Sequence, residues 1–216
     1  MAGGKLQDKA RAARNDVYRQ HILEAAEQVF AESGFDNAKL QDISKLAEVS
    51  MGTIYAIFAS KEELFRGILD TRGADLLEVA RASTQVDADP RAALDRLIEA
   101  YIDYFLAHPS FLRMHLRLGT SWVLGPSMSG EAQVRLWREI HTLQAELMRR
   151  GVTAGAFVDE DPAFLAKVFS ALDQVLLADW VADGMRLSRD AVVARMRRLV
   201  ERSILRTKDE GRRTKE

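Results

Sequence analysis

The residues of this chain that could support catalysis are few and form no known catalytic pattern. The 216-residue sequence contains four histidines and no cysteine, which excludes disulfides, thiol nucleophiles and thiolate metal sites. No histidine has the Glu-x-x-His spacing of di-iron helical bundles, and no His-Glu-x-x-His motif or Gly-rich phosphate loop occurs. His115 and His141 could meet across two helices, although ordinary hydrogen bonding explains both more simply. We therefore expect no enzyme, no metal site and no cofactor.

A second group of residues has the types and spacing for contact with DNA. Between Lys39 and Phe58, apolar residues recur at helical spacing on two short segments. Ser50 suits the N-cap of the second segment. This is the layout of a helix-turn-helix, whose second helix can enter a DNA major groove, although helical hairpins are also common in all-α proteins. The face away from the apolar residues carries Met51, Gly52, Thr53, Tyr55 and Ala56.

The sequence around this motif resembles the N-terminal domain of the TetR family of bacterial repressors. The resemblance covers roughly residues 16–76 and implies a homodimeric regulator of transcription that binds operator DNA and responds to a small molecule. It is carried by Gly34-Phe35, Asp42-Ile43, Val49-Ser50, Gly52-Thr53-Ile54-Tyr55, Phe58 and Ser60-Lys61-Glu62-Glu63-Leu64.

The resemblance also implies which residues contact DNA. It assigns Thr53, Tyr55 and Lys61 to phosphates, Gly52 to a close approach between helix and DNA, and Gln41 to a base edge, where its amide could pair with adenine. The whole predicted DNA-binding set is Lys39, Gln41, Ser50, Met51, Gly52, Thr53, Tyr55, Ala56 and Lys61.

Several positions depart from the family pattern. Ala38 and Lys39 replace two hydroxyl residues, which weakens the cap of the first helix of the motif and adds a cation. Met51 stands where polar or basic residues are common, and Ala56 and Ile57 stand where large aromatics or histidine are common. The face is therefore poor in hydrogen-bond donors, so contact with thymine methyl groups or shape readout would contribute more.

The helices that must position this motif can be read from caps and periodicity. A first helix is predicted from Asn15 or Asp16 to about Ser33, ended by Gly34 in the left-handed conformation. Ser60 and Glu63 form a capping box at the start of a helix that continues to about Ala82.

The second half of the chain also reads as helices. Asp89-Pro90 and Asp161-Pro162 each start a helix, Ser110 and Ser188 are candidate caps for two more, and Gly151 is expected to end another. The predicted segments are residues 90–107, 111–118, 131–150, 162–183 and 189–204, which gives an all-α fold of about nine helices.

Large, soft side chains on these helices indicate where a ligand could bind. By the resemblance, the C-terminal domain encloses a small-molecule pocket, and pockets between helices are lined by such residues with a few polar groups. Ordinary core packing remains the alternative for each of them. The candidate ligand-binding residues are Tyr101, Phe105, Phe111, Met114, His115, Trp122, Trp137 and Phe169.

The last two helices are the candidate dimer interface. The apolar surface of the first of them is too broad for a helix with one buried side, and the family dimerises through the equivalent pair. A two-fold dimer would place two recognition helices at successive major grooves. The predicted interface residues are Phe164, Val168, Leu172, Val175, Leu176, Trp180, Val193, Met196, Leu199 and Val200.

Composition and charge complete the prediction. No apolar run approaches the roughly 20 residues needed to span a bilayer, and the N-terminus is not a signal peptide, so we expect a cytoplasmic protein without a membrane partner. The first twenty residues carry five Lys or Arg against two Asp. Such an arm could follow phosphates or a minor groove, or be a solvated disordered tail.

These observations predict four regions: a disordered basic arm over residues 1–15, a helix-turn-helix domain over 16–62, a ligand-binding and dimerisation domain over 63–207, and a charged tail over 208–216. The leading interpretation is a ligand-responsive repressor that binds a palindromic operator as a homodimer and is released by a small hydrophobic effector. Its partners would be double-stranded DNA, the effector and a second copy of the chain. The alternative is a helical small-molecule-binding protein whose DNA-binding head is vestigial.

Overall fold

The computed structural model describes residues 2–85, 89–119, 121–123 and 130–206, with side chains from residue 13 onward. In these residues the secondary structure consists of nine helices and one isolated bridge between Phe157 and Leu205, so the all-α prediction is confirmed. No described helix is both long and apolar enough to cross a membrane. The helices are α1 (Ala2–Asn37), α2 (Leu40–Leu46), α3 (Met51–Ile57), α4 (Lys61–Ser83), α5 (Pro90–Ala107), α6 (Pro109–Arg117), α7 (Glu131–Thr153), α8 (Pro162–Ala182) and α9 (Arg189–Ser203).

The chain divides into two compact units. The first comprises Met1–Arg72 and Ser110–Leu118, and the second comprises Gly73–Pro109 and Gly119–Glu216. The predicted boundary at residue 62 therefore lies ten residues before the observed one, and α6 belongs to the first unit rather than to the predicted ligand-binding domain. The Arg117 guanidinium donates to the Glu32 carbonyl of α1 at 3.1 Å, which is a contact within the first unit. The predicted tail lies outside the described residues.

The N-terminal segment differs from the predicted disordered arm. α1 begins at Ala2, so residues 2–15 are helical and the expected caps Asn15 and Asp16 lie inside the helix. This segment contains no proline and is rich in Ala, Lys and Arg, residues of high helix propensity that can extend a helix already stabilised by packing. At the other end, Gly34 interrupts the helix with φ 76° and ψ 165°, so the predicted break is confirmed, whereas the predicted left-handed helical conformation is not.

Capping side chains start most of the predicted helices. Ser60 accepts from the Glu63 N–H at 3.1 Å, and Glu63 accepts from the Ala59 N–H at 2.7 Å, which confirms the capping box with its return bond one residue earlier than the motif requires. Asp89, Asp161 and Ser188 each accept first-turn N–H groups. α6 begins at Pro109, so Ser110 lies in its first turn rather than at its N-cap.

Gly151 does not end α7, and that prediction is wrong. α7 continues to Thr153, and the chain turns at Gly155 with φ 65°. A Cβ atom at Gly151 would lie 2.1 Å from Cδ2 of Phe157. The glycine is therefore required for the close approach of the buried Phe157 ring to the helix.

The second unit is organised around α5, α7, α8 and α9. α7 packs on α8 and α5, and α9 packs on α5 and α8. Between α5 and α9, Arg189 pairs with Asp103 at 2.6 and 2.9 Å and with Glu99 at 3.1 Å. Arg197 pairs with Asp95 at 3.0 Å and also with Glu99. The carboxylates lie four residues apart on α5, so the arginines of α9 meet one polar face of that helix.

Candidate nucleic-acid interface

The helix-turn-helix is formed by α2, a turn over residues 47–50, and α3. Ile43 of α2 and Ile54 of α3 are fully buried, so each short helix is held by one apolar face. In the turn, Glu48 adopts φ 53°, and the Ser44 hydroxyl donates to the Val49 carbonyl at 2.6 Å. Two helices of seven residues would not be stable alone; packing and this turn fix their relative direction.

The start of α3 is built from two hydroxyl groups. The Ser50 Oγ accepts from the Thr53 N–H at 3.0 Å, and the two hydroxyl oxygens are 2.9 Å apart. The capping role predicted for Ser50 is confirmed. Since the Oγ–Oγ1 bond uses only one of the two hydroxyl protons, the other can donate to a group outside the protein.

The predicted DNA-binding residues lie at the surface of the first unit. Tyr55 is 56% exposed, and Gly52 and Ala56 are exposed on the same face of α3, opposite the buried Ile54. Met51 and Thr53 are half-buried at its edges, whereas Ser50, Gln41 and Lys39 are exposed. The N-cap residue of α2 is Lys39, which makes no side-chain capping bond, as its residue type predicts. Hydroxyl donors on α3 are limited to Thr53 and Tyr55.

Lys61 has a different environment from the others. Its Nζ donates to the carbonyls of Phe35 (2.7 Å), Asp36 (3.3 Å) and Ala38 (3.3 Å). The same atom lies 4.6 Å from the centre of the Phe35 ring. Sequence reasoning assigned this ammonium to a phosphate and did not anticipate its contacts within the protein, because residues 35–38 are distant in sequence.

The candidate ligand-binding residues are divided between the two units. Phe111, Met114 and His115 belong to α6 in the first unit, where burial lowers the pKa of His115 to about 4. The other five belong to the second unit, in two groups. Trp122 stacks on Phe105 with 5.8 Å between ring centres, and its carbonyl accepts from Trp137 Nε1 at 3.1 Å. The other group is formed by Tyr101 and Phe169, whose ring centres are 6.4 Å apart.

A buried polar chain accompanies the second group. Gln144 Nε2 donates to the Tyr101 hydroxyl at 3.3 Å, and the Ser170 hydroxyl donates to Gln144 Oε1 at 3.2 Å. Asp173, one turn further along α8, is 5% exposed, and burial raises its pKa to about 7. Burial, and then the Asp173 charge, also raise the pKa of Tyr101. Sequence reasoning missed these polar residues, although Ser170 and Asp173 stand three apart in a mostly apolar helix, which was the available signal.

The predicted dimer interface requires correction. Leu176, Trp180, Val193, Met196 and Val200 are each at most 2% exposed within the single chain and therefore belong to its core. Leu199 is half-buried. A partly exposed apolar stripe remains on α8, in which Phe164 and Val175 are exposed and Val168 and Leu172 are half-buried. The apolar surface of α8 is broader than one buried side requires, because both its core face and this stripe are apolar.

Comparisons with known proteins agree with this arrangement. The model of bacterial regulatory proteins of the tetR family matches residues 22–68. The chain is 39% identical to the HTH-type transcriptional repressor NicS of Pseudomonas putida over 103 residues, which are 47% of this chain and about half (48%) of NicS. It is 29% identical over 202 residues to the HTH-type transcriptional repressor SCO4008 of Streptomyces coelicolor, covering 88% of this chain and 100% of SCO4008.

Among solved structures, the transcriptional regulator FadR from Bacillus subtilis in complex with stearoyl-CoA matches the fold with a TM-score of 0.69 and 17% sequence identity, covering 84% of this chain and 95% of FadR. The all-helical fold and the exposed face of α3 define a protein with a helix-turn-helix of the kind that enters a DNA major groove. Residues 22–68 therefore match the DNA-binding domain of the tetR family, and the rest of the chain is similar to named regulators of transcription.

Proposed function

We propose that this protein is a transcriptional repressor that binds a palindromic operator as a homodimer and is released by a small hydrophobic effector. The observation that carries the proposal is the exposed face of α3, held in place by buried Ile54 and capped by Ser50. NicS and SCO4008 are both named repressors, which supports repression over activation.

On DNA, Gly52 lets α3 approach the major groove closely, while the Thr53 and Tyr55 hydroxyls donate to phosphates. Met51 and Ala56 offer methyl and methylene groups to thymine methyls, and Gln41 reads a base edge from α2. Ser50 orients Thr53 through their shared hydrogen bond. Lys39, at the start of α2, adds a phosphate-seeking cation.

Dimerisation uses the apolar stripe of α8. Phe164, Val168, Leu172 and Val175 lie at positions i, i+4, i+8 and i+11, so they form one continuous line along the helix. Phe164 and Val175 are 52% and 68% exposed, so both side chains are accessible to a partner. A two-fold axis would bring the same line from each copy together.

The effector binds in the second unit, where the Phe105–Trp122 and Tyr101–Phe169 ring pairs supply apolar contact surface. The Tyr101–Gln144–Ser170 chain supplies polar groups for its head. FadR was solved with stearoyl-CoA, which supports an apolar ligand with a polar head. α4 runs from the first unit into the second, and a shift of this helix on effector binding would change how α3 meets DNA.

The experiment that tests the proposal is binding of the purified protein to the DNA upstream of its own coding sequence, followed by selection from random-sequence DNA, each over a salt series. We expect retention of a palindromic duplex that weakens steeply with salt. Thr53→Val and Tyr55→Phe should each weaken it roughly tenfold, because each removes one hydrogen bond to a charged group. Thr142→Val, which removes an exposed hydroxyl of α7 bonded to the Arg138 carbonyl, is the matched control. Failure to retain DNA of any sequence would favour the alternative of a helical small-molecule-binding protein with a vestigial head.

A further inference from the structure

Lys61 lies at the first position of α4 and points to the end of α1. Its three bonds reach the carbonyls of Phe35, Asp36 and Ala38, all of which follow the break in α1 at Gly34. The Phe35 ring, which also packs on Phe30 and Phe65, covers the same ammonium. One cation therefore holds the whole segment that leads from α1 into α2.

This segment needs such a partner. The last carbonyls of a helical segment have no partner within it and carry partial negative charge, and the short helical segment after the break at Gly34 ends at Asn37. A cation at the first position of α4 is unfavourable for the dipole of α4 itself. The carbonyls at the end of α1 offset that cost. The favourable electrostatic interactions of the Lys61 charge are therefore made with the end of α1 and not with α4.

α2 begins directly after these carbonyls and lacks a side-chain cap of its own. Its N-cap residue, Lys39, makes no capping bond. Its first turn is closed only by the Asp42 and Ile43 N–H groups, which donate to the Lys39 carbonyl at 3.0 and 3.3 Å. The bond from Lys61 to the Ala38 carbonyl fixes the residue just before that N-cap. Lys61 cannot accept from the first-turn N–H groups of α2 as a capping hydroxyl would, but it holds the backbone that leads into that turn.

The number of N–H donors on the Lys61 ammonium argues against an additional contact with a phosphate. An –NH₃⁺ group has three N–H donors and no acceptor, and three carbonyls lie within 3.3 Å of Nζ. A phosphate would have to displace one of them. Lys39, which is exposed, is under no such constraint.

We propose that Lys61 is a positioning residue of the DNA-binding head, which sets the start of α2 and through it the direction of α3, and that it is not a phosphate contact. The effect on DNA rests on the proposed function. The effect on α2 does not, so the two can be tested separately.

The first experiment needs no DNA. Hydrogen exchange is measured on wild type, Lys61→Met and Lys39→Met, all as the full chain. Lys61→Met keeps the length of the side chain and removes its charge and its donors. We expect the Asp42 and Ile43 amides to lose at least tenfold protection in Lys61→Met, with the amides of α9 unchanged and Lys39→Met close to wild type. Unchanged protection at Asp42 and Ile43 would overturn the proposal whether or not the protein binds DNA.

The second experiment uses a duplex selected from random-sequence DNA by the wild-type protein and a scrambled duplex of equal length. A lost phosphate contact reduces the slope of log affinity against log salt by about 0.9 per phosphate and weakens both duplexes alike. Lys39→Met should behave in this way. Lys61→Met should instead keep the wild-type slope and lose at least tenfold in the ratio of selected to scrambled affinity.

Lys61→Arg separates the two roles further. An arginine keeps the positive charge for phosphate but presents a planar fork in place of three converging donors. We expect Lys61→Arg to lose specificity as Lys61→Met does. Wild-type specificity in Lys61→Arg, together with a reduced salt slope in Lys61→Met, would overturn the positioning role and return Lys61 to the phosphate contacts. Absence of wild-type binding to any duplex would count against the proposed function, while the hydrogen exchange result would still decide the role of Lys61.

Discussion

At the scale of single residues, the polar side chains bond either to backbone close in sequence or to groups on other helices. Ser50, Ser60 and Asp89 cap the helices that follow them, because an N-cap side chain bonds a backbone N–H two or three residues later. Lys61 instead bonds to carbonyls that follow the break in α1, 23 to 26 residues earlier in the chain. The same holds for Gln144, whose partners Tyr101 and Ser170 lie on α5 and α8.

Asp173 leads to a prediction about pH. Burial raises its pKa to about 7, against about 3.9 in an unfolded chain. The folded state therefore binds more protons than the unfolded state between pH 4 and pH 7, so this residue lowers stability as pH rises through that range, by about 4 kcal/mol in the limit. We expect Asp173→Asn to raise the thermal unfolding midpoint at pH 8 and to have a much smaller effect near pH 4.

Asp103 provides the control for this prediction. Its hydrogen bonds to Arg189 lower the pKa of Asp103, so its contribution to stability is present at neutral pH and is lost as pH falls. Because Asp103 is exposed, Asp103→Asn should lower the midpoint slightly at pH 8 and never raise it. A gain at pH 8 from both variants, or a midpoint of Asp173→Asn that follows wild type at every pH, would contradict the assignment.

At the scale of helices, Gly151 gives a second prediction. Replacing glycine by alanine in a helix normally stabilises it by up to about 1 kcal/mol. At Gly151 the new Cβ would meet three atoms of the Phe157 ring at 2.1 to 2.5 Å, and overpacking of this kind costs about 1–3 kcal/mol. We expect Gly151→Ala to lower the free energy of unfolding in urea. Gly52→Ala is the matched control, since its Cβ would meet only Ser50 Oγ at 3.6 Å, and it should be neutral or stabilising. Equal stability of the two variants would show that Phe157 moves aside without cost.

Helix existence and type were predictable from the sequence, whereas the role of a residue in tertiary packing was not. Apolar periodicity and caps placed the nine helices of the described ranges within a few residues, except that α1 extends to Ala2. Gly151 was predicted to end α7. The glycine is instead required by the close approach of the Phe157 ring, a contact between a helix and a loop that the sequence does not reveal. The exposed face of α3 was predictable because a seven-residue helix with one apolar line leaves the other side free. The burial of Trp180 and Met196 within the single chain was not predictable, because an apolar stripe alone does not indicate whether a second helix or a second chain covers it.

At the scale of the whole molecule, the α8 stripe leads to the last prediction. A glutamate at Val175, which is 68% exposed, should leave the single chain folded, because its side chain reaches solvent. In the proposed dimer the two-fold axis would bury that charge next to its own copy. We expect Val175→Glu to weaken dimerisation by at least tenfold in sedimentation equilibrium. Binding to a palindromic duplex should fall with it, since a monomer reaches only one half-site.

Leu106 offers the matched control, because it is an apolar residue of α5 that is 37% exposed and lies outside the stripe. Leu106→Glu should dimerise and bind DNA as wild type does. If Val175→Glu stays dimeric over the same concentrations, the stripe is not the interface, and the large apolar side chains on α8 must be covered by something other than a second copy. If both variants become monomeric, the interface extends over α5 as well, and the assignment to α8 alone is wrong. The assignment of the α8 stripe as the interface that spaces two recognition helices on DNA requires both results: Val175→Glu loses dimerisation, and Leu106→Glu retains it.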